Sequence, residues 1–248
     1  MVFLIILAVF ALVKERHLWA MTLITASVLI KFASLVLIPL FFIYSLRQQP
    51  TMKARLSYIA KSLILFLSVI IDSYALFWAG PQTLQRAISE IQGYLYSFSI
   101  LLVDLFPTHL SYDQGKLIGR ILFGICFLYA LRLSSKDFSG FLKGCFLTMF
   151  TLLALGSTFV QPWYCIWPFV FAMLIPRLSI SLACFLFLYG ACLAELVHAF
   201  IFAWAGSQYL NIFVISNSVA YLIIFLLPTL FLLASRFKPI LPSMDRQE

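Results

Sequence analysis

The sequence predicts an all-α, polytopic integral membrane helical bundle, with roughly seven to eight spans plus a short re-entrant or interfacial helix. Three observations predict it. First, 63% of the 248 residues are hydrophobic and only 10% are charged, whereas a soluble domain is roughly 25% charged. Second, the apolar residues fall in long runs without alternation, and lipid tolerates only helices and closed barrels. Third, most basic residues gather in short connections between runs, as cytoplasmic loops do. A large soluble domain is excluded, and with it a Rossmann or TIM-barrel enzyme. The net charge of +8 reads as loops retained on the cytoplasmic side, so no nucleic-acid partner is expected.

In chain order the apolar runs are Val2–Val13, Leu18–Leu46, Ser57–Gly80, Tyr94–Phe106, Leu117–Leu133, Phe138–Phe159, Tyr164–Ile175, Leu178–Ala205 and Ile212–Ser235. Val2–Val13 is short for a span. No positive region precedes it and no small-residue cleavage site follows, so it is not read as a signal peptide. It reads as a helix that begins mid-course, as if an N-terminal portion of a longer parent were missing. Leu18–Leu46 reads as one span. Tyr94–Phe106 is the expected re-entrant or interfacial helix. Tyr164–Ile175 opens on Trp and Tyr and spans only if it runs nearly upright. Residues 1–235 are expected to form a single transmembrane domain, and 236–248 a short cytoplasmic tail.

Orientation follows from Lys and Arg. If Tyr94–Phe106 does not cross, Arg47, Lys53, Arg55, Arg132, Lys136, Lys143, Arg177, Arg236 and Lys238 share one side, which is then cytoplasmic. Arg86, Lys116 and Arg120 take the other side, as do Lys14 and Arg16, which break the trend. Gln161–Tyr164 then lies at the exoplasmic face. The expected location is the plasma membrane, as a bacterial inner-membrane protein.

Ionisable groups inside spans are costly, so each is a functional candidate. Lys31 lies mid-run. Asp72, Glu195 and His198 lie towards the outer ends of their runs, and Asp104 lies in the stretch expected outside. They suggest a polar cavity opening outward. Glu195 and His198 are one helical turn apart and share a face; they read either as a structural hydrogen bond between helices or as a proton relay or substrate contact. Asp72 reads either as half of an interhelical pair or as a chemical group, and Lys31 either as paired with a carbonyl or carboxylate or as a contact for an anionic headgroup. Arg86 and Lys116 are either solvated loop cations or an exoplasmic phosphate site.

Pro162, Trp163, Tyr164 and Trp167 are denser than an ordinary aromatic belt. They form either that belt or a platform on which a sugar or isoprenoid stacks. The five cysteines sit in apolar runs without a CxxC pair and read as small buried residues. There is no Gly-rich phosphate loop, HExxH or GxSxG. No metal and no cofactor is expected.

Two stretches carry a resemblance. Ser27–Phe42 reads SVLIKFASLVLIPLFF and Val160–Leu174 reads VQPWYCIWPFVFAML. Together they resemble the carboxyl-terminal half of GT-C superfamily glycosyltransferases, nearest to bacterial polyprenyl-phosphate-mannose-dependent mannosyltransferases, over Trp19 to Tyr189. The QPWY-x-x-W element is the more specific. The resemblance implies a membrane enzyme that moves a sugar, with mannose expected, from a polyprenyl phosphate to an exoplasmic lipid or glycan acceptor. It maps Lys31, Pro162, Trp163 and Tyr164 onto family motif positions, with Gln161 opening the element. Family members carry a catalytic carboxylate in an early exoplasmic loop. No acidic pair precedes Lys14 here, so the expectation is a truncated product, an inactive remnant or one piece of a split enzyme, with a partner chain supplying the missing half. A base from this chain itself would come from Asp72, Asp104 or Glu195, and the leaving phosphate would be met by Lys31, Arg86 or Lys116. The alternatives are a transporter or lipid flippase that uses Asp72, Glu195 and His198, or a non-catalytic membrane subunit.

Overall fold

The computed structural model describes residues 1–75, 78–80, 95–205 and 210–237, with 201–205, 210–216 and 236–237 described by their backbone course. Arg86, Lys238 and the predicted tail from residue 238 onward lie outside the described residues. The described chain is helical: α1 (Val2–Val13), α2 (His17–Ile30), a 3-10 turn (Phe32–Leu37), α3 (Ile38–Arg47), α4 (Met52–Tyr74), α5 (Phe98–Leu105), α6 (Tyr112–Ser134), α7 (Phe138–Thr151), a π-turn (Leu152–Gly156), a 3-10 turn (Pro162–Cys165), α8 (Ile166–Leu174), α9 (Leu178–Ala205) and α10 (Leu210–Phe237). Among the described residues, five helical stretches are long and apolar enough to cross a membrane: Met52–Tyr74, Tyr112–Ser134, Phe138–Gly156, Leu178–Phe200 and Asn217–Ser235. The protein is thus a helical, multi-pass membrane protein by length and composition. It forms two compact units, Met1–Gln92 with Gly124–Thr151, and Gly93–Phe123 with Leu152–Glu248.

In the first unit, α1 ends in a Schellman turn. Glu15 adopts a left-handed φ of 57°; its N–H donates to Leu12 O at 2.9 Å, and Arg16 N–H donates to Ala11 O at 2.8 Å. Glycine is the usual residue there, so a glutamate holds this turn at some conformational cost. The next helix corrects the sequence reading. Leu18–Leu46 is not one span. It breaks at Lys31, which is extended (φ −154°, ψ 121°). Proline explains part of the break: Pro39, near the start of α3, has no N–H to give the carbonyl four residues back, and its ring crowds that carbonyl. The chain then returns on itself. Residues Glu15–Trp19 line one common groove with Gln49, Ala54, Ser57, Tyr58 and Lys61, and α2 packs against α3 and α4. So α3 runs antiparallel to α2, and α4 starts where α2 starts. Phe41 and Tyr44 of α3 pack on Phe141 of α7 at 4.8 and 4.9 Å between ring centroids.

This hairpin removes the orientation anomaly. Arg16 lies at the same end of the unit as Lys53 and Arg55, which flank the residues sharing its groove. The expectation that Lys14 and Arg16 face the opposite side from Arg47 and Lys53 is overturned, because a chain that folds back does not change sides. The helix starts are capped as sequence chemistry requires. Thr51 Oγ1 accepts from Ala54 N–H at 3.1 Å to open α4, and Asp137 Oδ1 accepts from Gly140 N–H at 2.6 Å to open α7.

In the second unit, α9 and α10 form a tight antiparallel pair. A Cβ on Gly190 would stand 2.7 Å from the Ile223 carbonyl oxygen, so the glycine sets how closely the helices approach. Phe187 and Phe225 meet at 5.1 Å. Ser111 and Gln114 form a capping box at the start of α6: Gln114 N–H donates to Ser111 Oγ at 3.3 Å and Ser111 N–H to Gln114 Oε1 at 2.8 Å. The expected short helix within Tyr94–Phe106 is α5, with 8 residues and therefore about 12 Å long, too short to cross a bilayer. The Phe138–Phe159 run stays α-helical only to Thr151, then widens into the π-turn. Gly119 sits against that turn, where a Cβ would collide with the Leu155 carbonyl oxygen.

Candidate functional site

The second unit gathers polar groups from four separate stretches of sequence. The chain passes Leu95–Ser97 in non-helical form, and so does Ser157–Gln161. The two lie side by side: Leu95 N–H donates to Thr158 O at 3.0 Å, and Val160 N–H donates to Leu95 O at 2.9 Å. In lipid, such irregular backbone must find internal partners, and here each segment supplies them to the other.

Tyr96 is the centre. It is fully buried, at 0% exposure. Its φ is 50°, the left-handed region that disfavours aromatic residues. Asn217 of α10 holds that conformation by accepting the Tyr96 N–H on Oδ1 at 3.2 Å. The phenol reaches α9 and donates to Glu195 Oε2 at 3.0 Å. Burial first, and then the Glu195 carboxylate, push the Tyr96 phenol well above its ordinary range, so it stays a proton donor. The His198 ring stands edge-on to Tyr96 at 5.6 Å. Glu195 itself is exposed and His198 half-buried.

The aromatic element adjoins this cluster. Val160, which bonds to Leu95, leads directly into Gln161–Tyr164. Gln161 O accepts the Tyr164 N–H at 2.9 Å to close the turn. The Pro162–Cys165 turn packs on α9, with Cys165 close enough to Cys184 and Cys192 to interact electrostatically. Cys192 lies one turn from Glu195. Tyr164 and Trp167 stack on each other at 4.3 Å and 18°, and Trp167 is buried. Those two rings therefore support the element. Trp163, 64% exposed and edge-on to Tyr164 at 6.2 Å, is the ring that offers a surface.

Asp104 of α5 pairs with Ser218 of α10 as acceptor for its hydroxyl. Tyr221 of α10 donates to Ala154 O at 2.8 Å, filling a carbonyl in the π-turn. Lys116 lies on α6, bound to Asp113 at 2.6 Å, so its charge is matched by a neighbour one turn away. Lys31 and Asp72 belong to the first unit. Lys31 caps the end of α2 at the break, half-buried, and Asp72 is exposed on α4. Arg86 lies outside the described residues. The cluster therefore joins Glu195, His198 and the Gln161–Trp167 element from the predicted set, while Asp104 lies on α5, which packs on α10. The sequence reading offers Tyr96, with Ser97 and with Tyr94, which lies outside the described residues, as cavity lining or as ordinary helix surface, and does not raise Asn217, Ser218 and Tyr221. Their signal is a positive φ and long-range hydrogen bonds, neither of which has a sequence pattern.

Among the described residues, no three His, Cys, Asp or Glu side chains converge as a metal site. Chemically, the cluster offers a carboxylate oriented by a phenol, an imidazole beside it and an exposed indole nearby. No family model, curated protein or solved structure matches the chain.

Proposed function

We propose that the chain is a membrane glycosyltransferase of the GT-C type, or the carboxyl-terminal part of one, that moves a sugar from a polyprenyl phosphate to a lipid or glycan acceptor at the exoplasmic face of a bacterial plasma membrane. In this reading the five long helices cross the bilayer, and the Pro162–Leu174 stretch carries the chain back from α7 to α9. The α2–α3 hairpin enters and leaves on the cytoplasmic side, where the basic residues lie. Glu195 and the Gln161–Trp167 element then share the exoplasmic end.

The observation that carries the reading is the Tyr96–Glu195 hydrogen bond, with the exposed Trp163 on a turn packed against the same helix as Glu195. The acceptor hydroxyl oxygen forms a bond to the sugar's anomeric carbon, the bond from that carbon to the carrier phosphate breaks, and polyprenyl phosphate leaves. The hydroxyl proton passes to Glu195, whose Oε2 is fixed by Tyr96, as a general base requires. Trp163 stacks on the apolar face of the sugar ring. Asp104, tied to Ser218, and Asp72, on the first unit, are not needed as the base. Lys31 is left to contact the carrier or a lipid rather than the reacting carbon.

The test is sugar transfer by the purified chain from radiolabelled polyprenyl-phosphate-mannose to crude membrane acceptors. Glu195→Gln should lower transfer by about 100-fold or more, and Trp163→Ala should raise the donor concentration needed, with melting temperatures little changed because both side chains are exposed. Full transfer by both variants would sink the assignment. The same Tyr96–Glu195–His198 contact would also serve a proton path. If the chain in proteoliposomes shows pH-dependent flux that Glu195→Gln abolishes, and no transfer, the transporter reading replaces this one.

A further inference from the structure

The first unit holds an open groove of about 490 Å³ at its basic end. Its walls are the start of α2 and the first three turns of α4. Three charged groups line it: Glu15, Arg16 and Lys61. Among the described residues neither Arg16 nor Lys61 has a carboxylate within ion-pair distance. Lys61 stands well inside α4, about 13 Å along the helix from its first residue, where an ammonium needs a counter-ion or must snorkel to the interface.

Two buried polar side chains border the groove. Tyr58 lines it and is 4% exposed. Its hydroxyl is buried and turned towards those of Ser45 and Ser62, which do not line the groove. His17 Nδ1 is likewise buried. Two cations without a carboxylate partner, beside a single glutamate in one groove, point to an occupant that carries both signs of charge. At the rim Trp19 is 63% exposed, at a helix start where an indole marks the membrane interface. The Schellman turn fixes Glu15 and Arg16 against the groove and keeps a glutamate where glycine would be easier.

We propose that this groove binds a phospholipid headgroup carrying both a phosphodiester and a primary ammonium. Arg16 and Lys61 meet the phosphate oxygens, to which a guanidinium fork is suited. Glu15 meets the ammonium. The mixed signs favour this headgroup over a purely anionic one, which Glu15 would repel. The acyl chains lie along the apolar flank of α4, most of which the unit leaves exposed: only Tyr58 and Ser62 of that helix are buried.

The test is the thermal melt of the detergent-purified chain on addition of phosphatidylethanolamine, phosphatidylglycerol, phosphatidylcholine or inorganic phosphate. Phosphatidylethanolamine should raise the melting temperature at the lowest concentration. The double variant Arg16→Gln/Lys61→Met should need at least about tenfold more, the loss expected when about 1.4 kcal/mol of binding is removed. Glu15→Gln should erase the preference over phosphatidylglycerol while still binding both. An unchanged response in the double variant overturns the proposal, as does an equal shift from inorganic phosphate alone. So does a Glu15→Gln variant that keeps its preference, and this single change tests the site even if the double variant does not fold. Sugar transfer does not enter the readout, so the outcome is independent of the enzymatic reading.

Discussion

Each unit interrupts its helices inside apolar sequence, and the two repair the damage differently. At Lys31 the partners are local. Ser34 N–H and Ser34 Oγ both donate to Lys31 O, at 3.2 and 3.0 Å, and Ser27 Oγ donates to Ser34 Oγ at 2.9 Å. At Leu95–Ser97 and Ser157–Gln161 a local bond, Ser157 Oγ to Phe159 O at 2.7 Å, is joined by remote ones. The segments bond to each other, Asn217 accepts from Tyr96, and Tyr221 serves the π-turn. A local repair needs only a few neighbouring residues and makes a bend. A remote repair needs several elements in register, and it brings their side chains to one point as a by-product. That difference explains why Glu195, His198 and the aromatic element converge at the second interruption rather than the first.

The contrast can be broken at three points, in order of expected size. Gly119→Val drives a side chain into the Leu155 carbonyl and so pushes on the π-turn itself. Overpacking against rigid backbone should cost about 3 kcal/mol, read as a large drop in melting temperature in detergent. A drop no greater than that of an exposed control such as Cys192→Val would show that the turn yields freely. Asn217→Ala comes next. It leaves the buried Tyr96 N–H without its acceptor, and the expected loss is about 2 kcal/mol. Because the same bond holds the positive φ of Tyr96, transfer activity should fall further than stability predicts. If activity simply tracks the folded fraction, Asn217 has no positioning role. Ser34→Ala is the mildest. It removes bonds that the neighbouring backbone partly replaces, for about 1 kcal/mol. Hydrogen exchange at the α2–α3 break should quicken while the second unit is unaffected; quickening in both would refute the local character of the repair.

Where a run is uniformly apolar and ends on charge, glycine or proline, hydropathy finds the helix. Val2–Val13 and Leu178–Ala205 coincide with α1 and α9 for this reason. The same method fails at Leu18–Leu46, because hydropathy cannot distinguish a long rod from a folded hairpin of equal composition. Ser27, Lys31, Ser34 and Pro39 carried the information, but each is tolerable singly in a membrane helix, and only together do they stop one. The candidate site was half legible. Glu195 and His198 stand out as ionisable groups in lipid, and the Trp–Tyr density of Gln161–Trp167 is visible directly. Tyr96 looks like any aromatic in an apolar stretch. Its role comes from a backbone conformation and from an asparagine more than a hundred residues away, and no local pattern encodes either.

The hairpin at Lys31 also bears on how the chain is made. A segment that crosses must carry its next hydrophilic loop through the bilayer, which takes time and machinery. The α2–α3 pair has no such cargo. Its tip is a single lysine and a tight turn, and α2, with 14 residues, reaches about 21 Å, short of a ~30 Å hydrocarbon core. It can enter as a preformed wedge from the side on which it is synthesised, after its own serines have closed the bend. In the topology proposed above, the segments that follow are then threaded from the side on which α2 began, and a fold that does not go through sets their sidedness.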